Sequence, residues 1–161
     1  MLNGSQEKGT STVETAAIYR RVLGIDYGSK RIGLSLSDPL CVIAQPIDAL
    51  KNDSSLLENL QQLSAREQVK LIVVGMPFNL KGQQAQKACE VQKFIEILKT
   101  KVGIEVVIWD ERFTTSMAHR TMLSMGTKKK ERQKKDGRID SMAAAIILQG
   151  FLDNARQEHS H

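Results

Sequence analysis

The sequence predicts an α/β fold in which helices flank a mixed sheet of five strands. Two observations support this prediction. Three strand-like segments follow one another up to residue 48, and from there strand-like and helix-like segments alternate. The strand-like segments are short and either alternating or continuously apolar, whereas the helix-like segments repeat apolar residues at helical spacing. An antiparallel meander that continues into parallel strand–helix units satisfies both observations.

The first two strands are predicted to form an antiparallel hairpin. Their segments are "RVLGIDYG" (21–28) and "RIGLSLSD" (31–38), and the short Gly-Ser-Lys stretch between them suits a turn. Apolar residues at alternate positions in the second segment indicate a strand that is covered on one face. A third, shorter strand is expected within "LCVIAQPID" (40–48), where Pro46 favours either the edge of the sheet or the end of the strand.

Strands and helices alternate in the rest of the chain. A helix is expected to begin near Ser55, with Glu58 as its capping-box partner. The other predicted elements are, in chain order, a strand at 69–75, a helix at 83–101, a strand at 104–110, a helix after "ERFTT" that carries Met117, Thr121 and Met122, and a closing helix at 138–152.

Length and composition predict one domain. The 161 residues are 41% hydrophobic and 25% charged, which is a globular composition. We expect a disordered tail at 1–20, the folded domain at 21–153 and a second tail at 154–161. No apolar run is long enough to span a membrane, and the two cysteines form no CxxC pair, so we expect a reduced, cytoplasmic protein.

The positive charge is concentrated in "KKKERQKKDGR" (128–138), which has seven basic and two acidic residues in a chain of net charge +5. Such a segment suits RNA or DNA, although a solvated loop is an equally good interpretation. Aromatic residues are only 4%, so contacts to phosphates are expected rather than base stacking. The candidate nucleic-acid-binding residues are Lys30, Arg31, Arg112, Lys128, Lys129, Lys130, Arg132, Lys134, Lys135 and Arg138.

Carboxylates stand at the ends of several apolar elements. Asp26 ends the first predicted strand, Asp110 and Glu111 end the last, and Asp140 lies in the first turn of the closing helix. Carboxylates that converge repel one another, and a hard cation such as Mg²⁺ or Mn²⁺ removes that penalty. Structural roles are the alternative: the helix dipole favours Asp140, and Asp110 or Glu111 has Arg112 as a neighbour. Asp38 precedes a proline and is interpreted as a turn residue.

At these residues the sequence resembles the bacterial YqgF/RuvX family, whose members are also described as pre-16S ribosomal RNA nucleases and as Holliday-junction-resolvase-like proteins. The resemblance spans roughly residues 21 to 153 and depends on "GIDYGSKRIGLSLSD", "IVVGMPFNLKG", "WDERFTT" and "IDSMAAAIILQGFL". It implies an RNase H-like fold and a metal-dependent nuclease. It further implies that Asp26, Glu111 and Asp140 are catalytic and bind Mg²⁺ or Mn²⁺. Asp110 is kept as the alternative to Glu111, because the predicted end of a strand is uncertain by a residue or two.

The expected function is hydrolysis of phosphodiester bonds, in the processing of the 5′ end of pre-16S rRNA during ribosome biogenesis. Two alternatives remain open: a resolvase that acts on branched DNA in recombination and repair, and a non-catalytic module that binds ribosomal RNA. The expected partner is therefore structured RNA, such as precursor rRNA or the small-subunit precursor, or branched DNA. No membrane partner is expected, and the chain is either a monomer or a homodimer.

Overall fold

A computed structural model describes residues 20–77, 82–113 and 138–159 of the chain. The five strands are β1 (Arg21–Asp26), β2 (Arg31–Ser37), β3 (Ala44–Lys51), β4 (Val69–Met76) and β5 (Glu105–Asp110). The described helices are α1 (Leu56–Arg66), α2 (Gln83–Val102) and α3 (Arg138–His159), and a 3-10 turn at Glu111–Phe113 follows β5.

The strands form one mixed sheet in the order β3-β2-β1-β4-β5. The antiparallel β1–β2 hairpin and the antiparallel pairing of β2 with β3 form the predicted meander. β4 runs parallel to β1, and β5 runs parallel to β4. The prediction of a mixed five-stranded sheet flanked by helices is therefore confirmed, and β1 is its central strand.

Helices cover both faces of the sheet. Successive residues of each strand point to opposite faces, so each face presents its own set of side chains to the helices that cover it. Leu23 and Ile25 of β1 belong to a core cluster that also contains buried residues of α1 and α2. Val22 belongs to a second cluster, together with Leu148 of α3. The result is a three-layer arrangement in which β1 is buried between α3 on one side and the pair α1 and α2 on the other.

Small residues of β1 and β2 allow α3 to approach the sheet closely. A Cβ on Gly24 would stand 2.7 Å from Cβ of Leu148, which is closer than real contacts allow. In β2, the buried Ser35 hydroxyl donates a hydrogen bond of 2.7 Å to the carbonyl oxygen of Ala144. The interface thus satisfies the buried hydroxyl of Ser35 and fixes the depth of α3 over the hairpin.

The third strand differs from its prediction in position and length. It begins at Ala44 rather than near residue 40 and continues to Lys51, which makes it longer than β1. The cause is a turn at 38–43, in which the Asp38 carboxylate accepts hydrogen bonds from the backbone N–H groups of Val42 (2.7 Å) and Ile43 (2.9 Å). The edge position expected from Pro46 is confirmed, since β3 is the outer strand next to β2.

The capping box predicted for α1 is wrong. Ser55 stands at the N-cap position, but its side chain makes no cap hydrogen bond. The hydroxyl instead donates to Oδ1 of Asp53 at 2.5 Å, and the backbone N–H of Ser55 donates to the same oxygen at 2.9 Å. A carboxylate two residues upstream therefore binds the hydroxyl that the capping box would have used.

Several predictions concern residues outside the described ranges. These are the N-terminal tail, the helix after "ERFTT" and the basic segment up to residue 137. At the other end, α3 continues to His159, beyond residue 153, where the sequence predicts the end of the domain. Among the described helices, none combines the length and apolar character that crossing a lipid bilayer requires.

Candidate active site

Asp26, Glu111 and Asp140 come from three different elements that meet at one end of the sheet, where its parallel strands terminate. Asp26 is the last residue of β1, and Glu111 is the first residue after β5. Because β1, β4 and β5 are parallel, the carboxyl ends of all three strands lie at the same end of the sheet. Asp140 reaches this end from the first turn of α3. Open α/β sheets bind ligands at the carboxyl ends of their strands.

Gly33 brings Asp140 next to Asp26. In the hairpin, Gly33 is the direct partner of Asp26. A Cβ on Gly33 would overlap the main-chain carbonyl group of Asp140, so the first turn of α3 lies directly on this strand position. Only glycine leaves room for the helix backbone there, and the start of α3 is therefore held beside the end of β1.

A second glycine brings Glu111 toward the same point. The register pairs Ile25 with Val74, so Gly75 is the next residue of β4 beside Asp26. Oε1 of Glu111 lies 3.0 Å from the position that a Cβ on Gly75 would take. The Glu111 side chain therefore extends over β4 on the face of the sheet that α3 covers.

Asp110 forms an ion pair of its own. Its carboxylate accepts hydrogen bonds from Nε and Nη2 of Arg112, the shortest at 2.6 Å, and from the backbone N–H of Arg112 at 2.8 Å. These bonds, the side-chain bond above all, hold the pKa of Asp110 below its ordinary value. Asp110 also lies one position after Trp109, whose side chain belongs to the cluster on the α3 face, so Asp110 points to the opposite face. Of the two candidates, the structure places Glu111 near Asp26.

The pKa of Asp26 departs clearly from its ordinary value. Its side chain is only 17% exposed, and burial raises its pKa to about 6. The charge of Lys87 opposes this shift, while the charges of Glu111 and Asp140 add to it. Nζ of Lys87 lies 4.0 Å from Oδ1 of Asp26. Asp26 is thus a buried acid at a strand end with two further carboxylates and one ammonium group around it.

The donor set fits a hard divalent cation, which prefers carboxylate oxygens and relieves their mutual repulsion. The observation that supports this fit is that the charges of Glu111 and Asp140 help to raise the pKa of Asp26. Within residues 20–77, 82–113 and 138–159, however, no three His, Cys, Asp or Glu side chains are close enough to form a ready-made metal site. An ion held by all three would therefore require the carboxylates to move closer together.

The cationic residues predicted to contact nucleic acid are only partly described. Lys30 is exposed at the hairpin turn, where its carbonyl oxygen accepts a hydrogen bond from the backbone N–H of Asn52, and Arg31 begins β2. Arg112 is held in the pair with Asp110. Arg138 begins α3, and its side chain lies outside the described part. The positions outside the described residues altogether are Lys128, Lys129, Lys130, Arg132, Lys134 and Lys135.

Sequence reasoning missed Lys87. The residue lies in the second turn of α2, about sixty positions from Asp26, within a segment whose polar residues indicate a solvated helix face. No spacing rule connects a helix lysine with a strand acid so far away in the chain, because their proximity depends on how α2 packs over the sheet.

Comparison with known proteins agrees with this architecture. The family model described as "RuvX: Holliday junction resolvase" matches residues 20–154. A protein of Sulfurihydrogenibium sp., named "Putative pre-16S rRNA nuclease", is 42% identical over 135 residues, which cover 83% of this chain and 90% of that protein. A protein of the same name from Acetivibrio thermocellus is 42% identical over 138 residues, covering 83% and 96%.

Solved structures share the fold at low sequence identity. A structure of T. thermophilus RuvC in complex with a Holliday junction substrate has a TM-score of 0.58 and 15% identity, covering 86% of this chain and 96% of that one. A complex of Fowlpox virus resolvase with Holliday junction DNA has a TM-score of 0.52 and 12% identity, covering 84% and 98%. These likenesses establish the RNase H-like resolvase fold. The family itself is shown by the match of its model to residues 20–154 and by the relatives of 42% identity: the chain belongs to the RuvX family.

Proposed function

We propose that the chain is a metal-dependent nuclease that hydrolyses phosphodiester bonds in pre-16S rRNA, near the 5′ end of the mature sequence. The observation that supports this most directly is the position of Asp26, a buried acid at the end of the central strand whose ionisation is coupled to Glu111 and Asp140. A structural role such as the favourable helix dipole at Asp140 accounts for a single acid, but it does not account for three acids at the same end of the sheet, where they repel one another.

The relatives support the choice of RNA. The two proteins that are 42% identical to this chain carry the name pre-16S rRNA nuclease, and each aligns with 83% of it. The family model matches residues 20–154, which include β1, the segment after β5 and most of α3. We accordingly place the reaction in the cytoplasm, where precursor rRNA is processed, with the chain acting as a monomer or a homodimer.

In the proposed mechanism, Asp26, Glu111 and Asp140 hold Mg²⁺ or Mn²⁺. When bound, the ion supplies positive charge that stabilises the phosphoryl group in the transition state and helps to activate the attacking water. Asp26 is shielded from solvent, so its charge acts in surroundings of low dielectric constant, where electrostatic interactions are strong. Nζ of Lys87 lies 4.0 Å from Oδ1 of Asp26, with 43% of its side chain exposed, and it would contact a non-bridging oxygen of the scissile phosphate.

The remaining cations would hold the nucleic acid backbone. Lys30 and Arg31 lie at the hairpin turn, which connects the strand that ends in Asp26 to its neighbour. The basic segment at 128–138 leads directly into α3 and Asp140. Both groups thus adjoin an active-site element along the chain, and their contacts would be to phosphates and therefore insensitive to sequence.

A second candidate function is the resolution of Holliday junctions. The description of the matching family names it, and both solved structures above were obtained with junction DNA. The same three carboxylates would serve this reaction, because phosphodiester hydrolysis requires the same chemistry in RNA and DNA. The two functions therefore differ in how the substrate is recognised and not in the catalytic residues.

The deciding experiment compares cleavage of two labelled substrates by purified protein, a transcript that spans the 5′ leader of 16S rRNA and a four-way DNA junction. Each is incubated with Mg²⁺, with Mn²⁺ and with EDTA. We expect cleavage of the transcript that requires the divalent ion and is lost in Asp26→Asn. Asp38→Asn is the matched control, since Asp38 also follows a strand but serves a turn.

The other possible results of this experiment would each favour a different function. Cleavage of the junction alone would replace the leading proposal with the resolvase. Cleavage that persists in EDTA or in Asp26→Asn would contradict the metal site. RNA binding without cleavage of either substrate would indicate the non-catalytic rRNA-binding module.

A further inference from the structure

Two positively charged residues are direct neighbours across β2 and β3, in the part of the sheet next to the active site. The register pairs Arg31, the first residue of β2, with Lys51, the last residue of β3. Paired residues have their Cβ atoms about 5 Å apart, and like charges in such a pair destabilise it. Lys30 is exposed in the adjoining hairpin turn. These three residues, which we call the hairpin-turn cluster, concentrate positive charge at one corner of the sheet.

The cluster lies on the same face of the sheet as the active site. Gly33 is the hairpin partner of Asp26 and lies under the first turn of α3. Arg31 is two residues from Gly33 in β2, so it points to the same face, and Lys51 as its partner does so too. With strands about 4.8 Å apart and a rise of about 3.3 Å per residue, the backbone of Lys51 lies about 12 Å from that of Asp26. A phosphate bound at Lys51 is therefore a neighbour of the scissile phosphate.

Asn52 ties the backbone of the cluster together. Its backbone N–H donates a hydrogen bond of 2.9 Å to the carbonyl oxygen of Lys30, and its side-chain amide donates one of 2.9 Å to the carbonyl oxygen of Gly28. Both bonds join the residue after β3 to the hairpin turn that follows Asp26. The positions that carry the charges are thus fixed relative to the strand that ends in Asp26, which lowers the cost of ordering them around a ligand.

The acid that senses Lys51 is engaged chiefly by another residue. The side-chain hydrogen bond from Ser55 is the largest cause that lowers the pKa of Asp53, and the charge of Lys51 is the smallest. Lys51 is itself exposed. Its ammonium group therefore remains accessible to an anionic ligand.

The two sides of Asp26 differ in charge. On the side of β4 and β5, the last strand ends in Asp110 and is followed by Glu111, and Arg112 is held by the Asp110 carboxylate. On the side of β2 and β3 lies the hairpin-turn cluster. A polyanion that reaches the active site is therefore attracted toward β3.

We propose that the hairpin-turn cluster is a phosphate subsite, with Lys51 as a contact of its own, that binds the backbone of the substrate strand next to the scissile phosphate. The proposal deepens the proposed function and rests on it, since it gives the path of the strand: from Asp26 across β2 toward the edge strand β3. A bound phosphate relieves the repulsion between Arg31 and Lys51. Phosphate contacts do not read the bases, so RNA and DNA share the required chemistry, and the test has an arm for each.

The test compares Lys51→Gln with Lys70→Gln. Both remove one exposed positive charge, but Lys70 lies at the start of β4, at the opposite end of the sheet from Asp26. A labelled transcript that spans the 5′ leader of 16S rRNA and a labelled four-way DNA junction are bound in EDTA at a series of salt concentrations. Losing one phosphate contact reduces the slope of log K against log salt by about 0.7–0.9, which weakens binding at about 0.1 M salt roughly five- to eightfold.

We expect this decrease for the transcript in Lys51→Gln, the wild-type slope in Lys70→Gln and most of the wild-type affinity in Lys51→Arg. Thermal unfolding supplies a second readout, because Lys51→Gln removes the repulsion with Arg31 and should melt at or above the temperature of the wild type. A residue that serves only the fold would lower that temperature. A decrease for the junction alone would keep the phosphate subsite and make DNA its occupant.

Three results would overturn the subsite: equal slopes in Lys51→Gln and Lys70→Gln, a Lys51→Gln variant that melts below the wild type, or no binding of either nucleic acid by the wild type at low salt. Cleavage of the transcript with Mg²⁺ judges the nuclease separately. If the transcript is cleaved and the two slopes are equal, the nuclease stands and the cluster has no part in it. If the transcript is not cleaved but Lys51→Gln still reduces the slope, the cluster binds nucleic acid in a protein that is not a nuclease.

Discussion

Gly33 of β2 lies directly beneath the main-chain carbonyl of Asp140, with no space for a side chain between the strand and the helix. The same glycine is the hairpin partner of Asp26. One residue without a side chain therefore sets the separation between two of the three proposed ligands.

Gly33→Ala should damage both stability and activity. Its methyl group must displace the first turn of α3, and overpacking of this kind costs about 1–3 kcal/mol. Because Asp140 moves with that turn, cleavage should fall by more than the loss of folded protein explains. Gly150→Ala is the control: a Cβ there meets only the Trp109 side chain, at 3.3 Å, and alanine favours the helix. Chemical denaturation with parallel cleavage assays measures both, and equal activity in the two variants would contradict the placement of Asp140.

Asp26→Asn should stabilise the metal-free protein at neutral pH. The folded pKa of Asp26, about 6, lies above the value near 3.9 expected in the unfolded chain. The folded state therefore holds the proton more tightly, and the free energy of unfolding falls as pH rises from about 4 to about 6. Two pKa units correspond to about 3 kcal/mol. Urea unfolding in EDTA should show the variant more stable by an amount of this order at pH 8 and nearly equal to the wild type below pH 4.

Asp38→Asn should have the opposite effect. Burial acts to raise the pKa of Asp38, but hydrogen bonds from the backbone N–H groups of Ile43 and Val42 outweigh it and lower the pKa. The stability that this carboxylate contributes is present above its unfolded pKa and is lost as pH falls. The same urea series should therefore show Asp38→Asn less stable than the wild type at pH 8.

If Asp26→Asn is also less stable than the wild type at pH 8, the raised pKa assigned to Asp26 is contradicted.

Divalent cations should raise the melting temperature of the wild type. An ion that binds only the folded state, at a hundred times its dissociation constant, adds about 2.7 kcal/mol. We expect the shift to disappear in Glu111→Gln and to persist in Asp110→Asn, since Asp110 is held by Arg112. Thermal unfolding with and without Mn²⁺ distinguishes the two acids. The reverse pattern would assign the ligand to Asp110.

Lys87→Met should lower kcat/KM for cleavage about 10- to 100-fold, the effect of losing one charge-assisted hydrogen bond to the phosphate. Lys87→Arg should retain most of the activity, because it keeps the charge near Asp26. Lys99→Met provides a control in the last turn of the same helix. If Lys87→Met and Lys99→Met cleave equally well, Lys87 has no part in the reaction.

The sequence by itself indicated the order of strands and helices, the β1–β2 hairpin and the edge position of β3. These features follow from local chemistry: side chains alternate along strands, repeat at helical spacing along helices, and proline cannot donate to a strand partner. The same local reasoning identified Asp26 as an acid that is costly to bury at a strand end. It also assigned Asp38 to a turn, and its hydrogen bonds to Val42 and Ile43 agree.

Only the tertiary structure decided which side chains meet. Asp110 and Glu111 are adjacent in the chain, and only the structure shows that Asp110 pairs with Arg112 while Glu111 extends over Gly75. The contact between Lys87 and Asp26 joins two elements whose sequence patterns carry no information about each other. The spacing of apolar residues along the sequence indicates which face of an element is apolar. The packing of helices against the sheet, determined by where glycines allow close approach, selects the residues that become neighbours.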